Sequence, residues 1–211
     1  MTHDETREDL LLARLMEGDQ AALAQLYSVH RDRLKQMLSH RIDRRLRQRV
    51  DLSDVLQDVY IDALKRLRHF TSMQEQSFYV WLRQIAMQRL IDLHRRHLLA
   101  GKRAASAELP LVGNNFNASA SHDWAVQLVG SQVSASKVVV QQELIARVEN
   151  VLDRMDVVDR EVLALRHFEE MSNSEIAEAL GLSPAAASNR YVRALSRLRE
   201  ALAGESDLFA E

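Results

Sequence analysis

The stretch Ser172–Pro184 leaves the backbone little choice. Ser172-Asn173-Ser174-Glu175 has capping-box spacing, in which the Ser172 and Glu175 side chains each satisfy a backbone N–H that a first helical turn leaves unpaired. Ile176, Ala177 and Leu180 give that helix its apolar face. Gly181 ends it, because glycine adopts the left-handed backbone of a helix C-terminus without a Cβ clash. Only Leu182 intervenes before a second start, with Ser183 as N-cap and Pro184 at the first helical position. A long arginine-rich helix then runs from Pro184 to about Leu202. Two helices joined by a tight glycine turn, the second basic and slim at its front, describe a helix-turn-helix.

The rest of the chain reads as helical too. Only 6 Gly and 2 Pro occur in 211 residues, too few for a fold that needs a breaker at every hairpin. The class is all-α, in two small helical domains joined by a flexible linker. Helical spacing of apolar residues runs from about Asp9 to Leu99, dissolves into Ala, Ser, Asn and Gly over about 100–137, and returns from about Val138 to Leu202, so the domains are expected at 1–99 and 138–211 with the linker between them. Inside the linker, Leu109, Val112, Phe116, Trp124 and Leu128 are apolar enough to dock on something. In the first domain, helices are expected at about 8–17, from Asp19, from Asp51 or Ser53 as N-cap, and at about 78–97. The third buries Val55, Leu56, Val59, Ala63, Leu64 and Leu67, leaving Asp54, Gln57, Asp58 and Asp62 together on its surface.

Function classes narrow by what is missing. With no cysteine there is no disulfide, thiolate metal site or cysteine nucleophile. The eight histidines form no zinc-like spacing, and Asp54, Asp58 and Asp62 lack a His or Glu to complete a metal set. Nucleophile–base patterns and glycine-rich phosphate loops are absent, so no catalytic function, metal or cofactor is expected. No apolar run suits a signal peptide or a bilayer span, which predicts a cytoplasmic protein without membrane insertion.

Net charge is only −2, but the charges segregate. Arg41, Arg44, Arg45, Arg47 and Arg49 form one basic cluster, and Arg190, Arg193, Arg197 and Arg199 another. Acids collect at the N-terminus and between Asp51 and Asp62. The acidic face suits either a solvated surface or a protein-docking patch. At the front of the last helix, Ala185, Ala186 and Ala187 are small enough for a major groove about 12 Å wide. Ser188, Asn189 and Arg193 would then reach base edges, and Arg190 and Arg197 would meet phosphates. A solvated bundle helix with its arginines paired to acids is the bland alternative. Phe78, Tyr79 and Trp81 open a helix that ends in arginines, the materials of single-strand binding. Trp81 is expected in the core and Tyr79 at the surface.

Taken in order, these motifs resemble one family. Asp54-Val55-Leu56-Gln57-Asp58 resembles the acidic helix of sigma-factor region two, and Phe78-x-x-Trp81-Leu82 with Asp92-x-x-Arg95-Arg96 resembles that region's promoter-melting helix. Glu161-Val162-Leu163 with Arg166, Glu175-Ile176-Ala177, Gly181-Leu182-Ser183 and Arg193-Ala194-Leu195 resemble region four. Having regions two and four alone is similar to the extracytoplasmic-function group of sigma-70 factors, and the Arg41–Arg49 run resembles planctomycete versions. The resemblance implies a non-enzymatic factor that binds core RNA polymerase and directs promoter recognition, DNA melting and transcription initiation. By position, Asp54, Gln57, Asp58 and Asp62 would dock on the clamp coiled coil of the polymerase largest subunit, and the C-terminal domain on the beta flap. Phe70, Gln74, Gln76, Ser77, Tyr79, Arg83, Gln88, Arg95 and Arg96 would hold the single-stranded minus-ten element. The family usually has Asn where this chain has Gln88. Ser183, Ala185, Ser188, Asn189, Arg190, Arg193 and Arg197 would bind the minus-thirty-five element, with altered specificity because Ser188 stands at a common Lys or Arg position. An anti-sigma factor or other regulator is the further partner the group implies. Against this stand a free-standing helix-turn-helix regulator and a degenerate member that only titrates a regulator or kinase.

Overall fold

The computed structural model describes residues 3–43, 46–72, 76–96, 118–129 and 138–203. All regular structure among them is helical, apart from short turns, and the chain divides into two compact units, Met1–Ala105 and Ser106–Glu211. No helix in the described residues is long and apolar enough to cross a membrane.

The first unit packs α1 (His3–Met16), α2 (Gln20–Arg41), α3 (Leu52–Ser72) and α4 (Phe78–His94). Each boundary has a local cause. Gly18 turns the chain at φ 96°, and the Asp19 carboxylate accepts from the Ala21 N–H to open α2 while Arg14 holds it from α1 at 2.6 Å. Asp51, rather than Ser53, caps α3: its carboxylate accepts from the Ser53 N–H at 2.8 Å. Ser77 caps α4 through the Val80 N–H. Leu15, Leu23, Leu26, Leu34, Met37, Leu38, Val59 and Leu82 fill the core. One end is aromatic, with Phe70 against Phe78 and Trp81 at 5.4 and 4.7 Å between ring centres. Three aromatic side chains at such separations are a major source of apolar burial in so small a unit. Trp81 is buried, as expected.

The second unit contains α5 (Ala118–Val129), α6 (Val138–Arg154), α7 (Val157–His167), α8 (Asn173–Leu180) and α9 (Pro184–Ala203). The expected linker over 100–137 is corrected within 118–129, which is a helix lying on α6. Trp124 is the reason: it is 2% exposed and sits 4.9 Å from the Phe168 ring, in a core with Val148, Leu152, Leu163, Ala194 and Leu198. Leu109, Val112 and Phe116 lie outside the described residues. The capping box of α8 has both bonds, Glu175 N–H to Ser172 Oγ at 3.2 Å and Ser172 N–H to Glu175 Oε2 at 2.7 Å. Gly181 is left-handed at φ 62°, and Ser183 accepts from the Ala186 N–H to start α9.

Candidate functional site

Three helical surfaces carry the polar side chains singled out by the sequence. On α3, Asp54, Gln57 and Asp58 are exposed on one face. Asp62 is not with them. It lies three residues beyond buried Val59 and seven beyond Val55, on the stripe that faces the rest of the unit, and is itself buried. Arg89 of α4 binds its carboxylate with a short ion pair, and Lys65 reaches it at 3.3 Å. Burial works to raise the Asp62 carboxyl, but the bonds from Arg89 and Lys65 outweigh it and hold the group below its ordinary value. Asp62 therefore ties α3 to α4 and is no part of the outward acidic face. Apolar Ile61 and Leu64, the latter expected in the core, are exposed further along α3. Beside Asp54 and Gln57 the α2–α3 groove is lined by Tyr27, Arg31, Leu56 and Tyr60. Its wall is stiff, because the Tyr27 hydroxyl donates to the Leu56 carbonyl at 2.6 Å, and burial pushes that phenol up to about 12.

The second surface is α4. Tyr79, expected outside, is 1% exposed, because its ring packs on His30 and lies under the Arg33 guanidinium at 3.5 Å. Phe70 belongs to the aromatic core and Arg83 is buried, so neither they nor Tyr79 offers a free face to a base. Gln76 and Ser77 are half-buried where α4 begins. Gln88 is also half-buried and donates to Asp92 at 3.2 Å, and Arg95 and Arg96 are exposed after the helix end. Gln74 lies outside the described residues. Of the eight described residues expected to hold single-stranded DNA, five remain accessible.

The third surface is α9. Ser183, Ala185, Ser188, Asn189, Arg193 and Arg197 are exposed, and Ala187 is buried against the unit. Ser188 bonds the Asn173 side chain at 3.3 Å, and Asn173 in turn donates to the Pro184 carbonyl at 3.0 Å, locking the turn between α8 and α9. Arg190 departs from expectation. Its guanidinium is tied to Asp159 of α7 at 2.7 Å and to Asp156, just before that helix, at 3.1 Å. The Asp159 bond pushes the Arg190 value up, against partial burial. Arg193 and Arg197 also lie near Asp159, at 3.6 and 3.7 Å. Asp156, which caps α7, and Asp159 went unnoticed in the sequence as partners of these arginines. The usable signal was the arginine spacing 190, 193, 197, which puts all three on one stripe in need of an acid.

Among the described residues no group of three or more His, Asp or Glu side chains comes together as a metal site would. What the surfaces offer is recognition: an acidic face, a polar and cationic helix end, and a basic helix with a slim polar front.

The model described as "Sigma-70 region 2" matches residues 26–98, and "Sigma-70, region 4" matches residues 145–198. The RNA polymerase sigma factor NccH of Alcaligenes xylosoxydans xylosoxydans is 31% identical over 202 residues, covering 92% of this chain and 94% of that one. CnrH of Cupriavidus metallidurans, also an RNA polymerase sigma factor, is 30% identical over 208 residues, covering 96% and 98%. The ECF RNA polymerase sigma factor SigD of Mycobacterium tuberculosis is 25% identical over 209 residues, covering 98% and 89%. The solved structure of CnrH in complex with the cytosolic domain of CnrY matches 94% of this chain and 99% of its own at a TM-score of 0.51 and 25% identity.

Proposed function

The chain belongs to the extracytoplasmic-function group of the sigma-70 family of RNA polymerase sigma factors, which direct transcription initiation, and on that premise we propose how its surfaces divide the work. The exposed Asp54, Gln57 and Asp58 dock on the clamp coiled coil of the polymerase largest subunit. Gln76, Ser77, Gln88, Arg95 and Arg96 engage the minus-ten strand once it is single. In the second unit α9 enters the major groove of the minus-thirty-five element with Ser188 and Asn189 toward base edges; Arg193, read from the sequence as a base contact, lies with Arg197 beside Asp159 and is assigned instead to the backbone on the flank. The unit also meets the beta flap. The domains so assigned are 1–99 and 138–211, the latter extended back to include α5.

The single observation behind this division is that the accessible acids of α3 and the accessible arginines of α9 lie on different units, so an enzyme and a duplex need not compete for one surface. Binding energy alone drives opening: bases captured by protein offset lost pairing and stacking, and no residue turns over a substrate. The factor acts in the cytoplasm, where its polymerase is. Because the similar CnrH was solved with the cytosolic domain of CnrY, we assign this chain a regulatory protein partner as well.

Run-off transcription with core polymerase tests the scheme. Asp58→Arg should abolish co-purification with core enzyme. Arg193→Ala should leave docking intact and weaken promoter-dependent product. Wild-type activity in both variants would overturn the division.

A further inference from the structure

We propose that Asp159 is the positioning residue of the DNA-reading helix, a buried carboxylate that fixes how many phosphates α9 is free to neutralise. The inference rests on the reading above that α9 lies in a groove. Arg190, Arg193 and Arg197 are spaced to share one stripe of α9, roughly a third of a turn away from the stripe of Ser188, Asn189 and Val192. The Asp159 side chain is 3% exposed and lies behind that stripe, with Oδ1 at 2.7 Å from Arg190 and 3.6 Å from Arg193, and Oδ2 at 3.7 Å from Arg197.

The three arginines are not treated alike. Arg190 makes a charge-assisted hydrogen bond to Asp159 and a second ion pair to Asp156, and is the least exposed of the set at 28%. It is spent inside the protein. Arg193 and Arg197 sit beyond hydrogen-bonding distance of Asp159, at 59% and 50% exposure. Attraction to the buried charge keeps their guanidinium groups along the flank, while their own hydrogen-bond donors stay available. Phosphate contacts set register without reading sequence, so freeing a third cation would strengthen attraction to any duplex and add nothing to choice. Asp159 thus withholds Arg190 and aims the other two.

Asp159→Asn combined with Asp156→Asn keeps the shape and the cap of α7 and removes both charges that hold Arg190. The measurement is duplex affinity from 50 to 200 mM salt, with holoenzyme assembled from the full-length chain and core polymerase. Two probes serve: the duplex that wild-type holoenzyme enriches from a random pool, and the unselected pool. Each additional phosphate neutralised steepens the logarithmic salt slope by about 0.9. The variant should therefore lose about threefold to fourfold more affinity than wild type across that range. Its preference for the enriched duplex should narrow. Adding Arg190→Gln should restore the wild-type slope, and Asp159→Glu should preserve it. A merely structural brace would lower the melting temperature and both affinities together at unchanged slope, and that result overturns the proposal. If Asn189→Ala and Arg193→Ala leave binding of the enriched duplex intact, the groove reading itself falls and takes the proposal with it.

Discussion

Removing the Phe168 ring tests whether α5 is part of the second unit's core or only a passing strand of linker. Phe168 is largely buried, and its ring stands 4.9 Å from that of Trp124. A buried Phe→Ala change costs roughly 3–5 kcal/mol, the sum of lost transfer energy and an imperfectly collapsed cavity. About 1 kcal/mol of that belongs to the ring pair itself, so Phe168→Leu should cost much less. The chain has 2 tryptophans, Trp81 in the first unit and Trp124 in the second, which makes each unit separately visible. In a Trp81→Phe background only Trp124 fluoresces. With a urea dependence of about 1.5 kcal/mol/M, Phe168→Ala should pull the Trp124 midpoint down by roughly 2–3 M. Phe168→Leu should pull it down by about 0.5–1 M. The reciprocal background, Trp124→Phe, leaves Trp81 as a control whose midpoint should not move. If the Trp124 transition ignores Phe168→Ala, then α5 is not held by this core.

Other expectations follow from single contacts. Asp62→Asn should destabilise the first unit and flatten its acid sensitivity. Since the folded carboxyl lies below the ordinary value of 3.8, its contribution is whole above that value and disappears as pH falls through the lower folded one. Urea midpoints between pH 6 and 2.5 compare the two proteins, and equal slopes below pH 4 would contradict the Arg89 tie. Gly181→Ala should cost about 1 kcal/mol by thermal denaturation from the positive φ alone, since open space surrounds the added Cβ. Ser172→Ala, losing one half of the capping box, should cost about as much, roughly 1 kcal/mol.

What could be read from the chain was what neighbours decide. The capping box, the glycine stop and the Ser183–Pro184 start each depend on groups within four residues, and all three stand as the sequence implies. The outward placement of Asp54, Gln57 and Asp58 follows from helical spacing alone. Errors came from partners far along the chain. Asp62 meets Arg89 across 27 residues, and Asp159 meets Arg190 across 31. Spacing could show that Asp62 drifts toward the buried stripe, but not that a cation waits there. Tyr79 was misplaced for the same reason, because its cover comes from Arg33 on another helix. In α5, Ala118, Ser119, Ala120 and Ser121 give no apolar rhythm, and Trp124 acquires a purpose only beside Phe168.

Moving α5 into the second unit shortens the leash. Between Arg96 and Ala118 the chain has 21 residues, which even when drawn straight cover no more than about 75 Å. At 3.4 Å per base pair that ceiling corresponds to roughly 20 base pairs of duplex. If the two units hold one promoter as proposed, this tether, together with the reach of the units themselves, sets an upper bound on how far apart the two elements can stand.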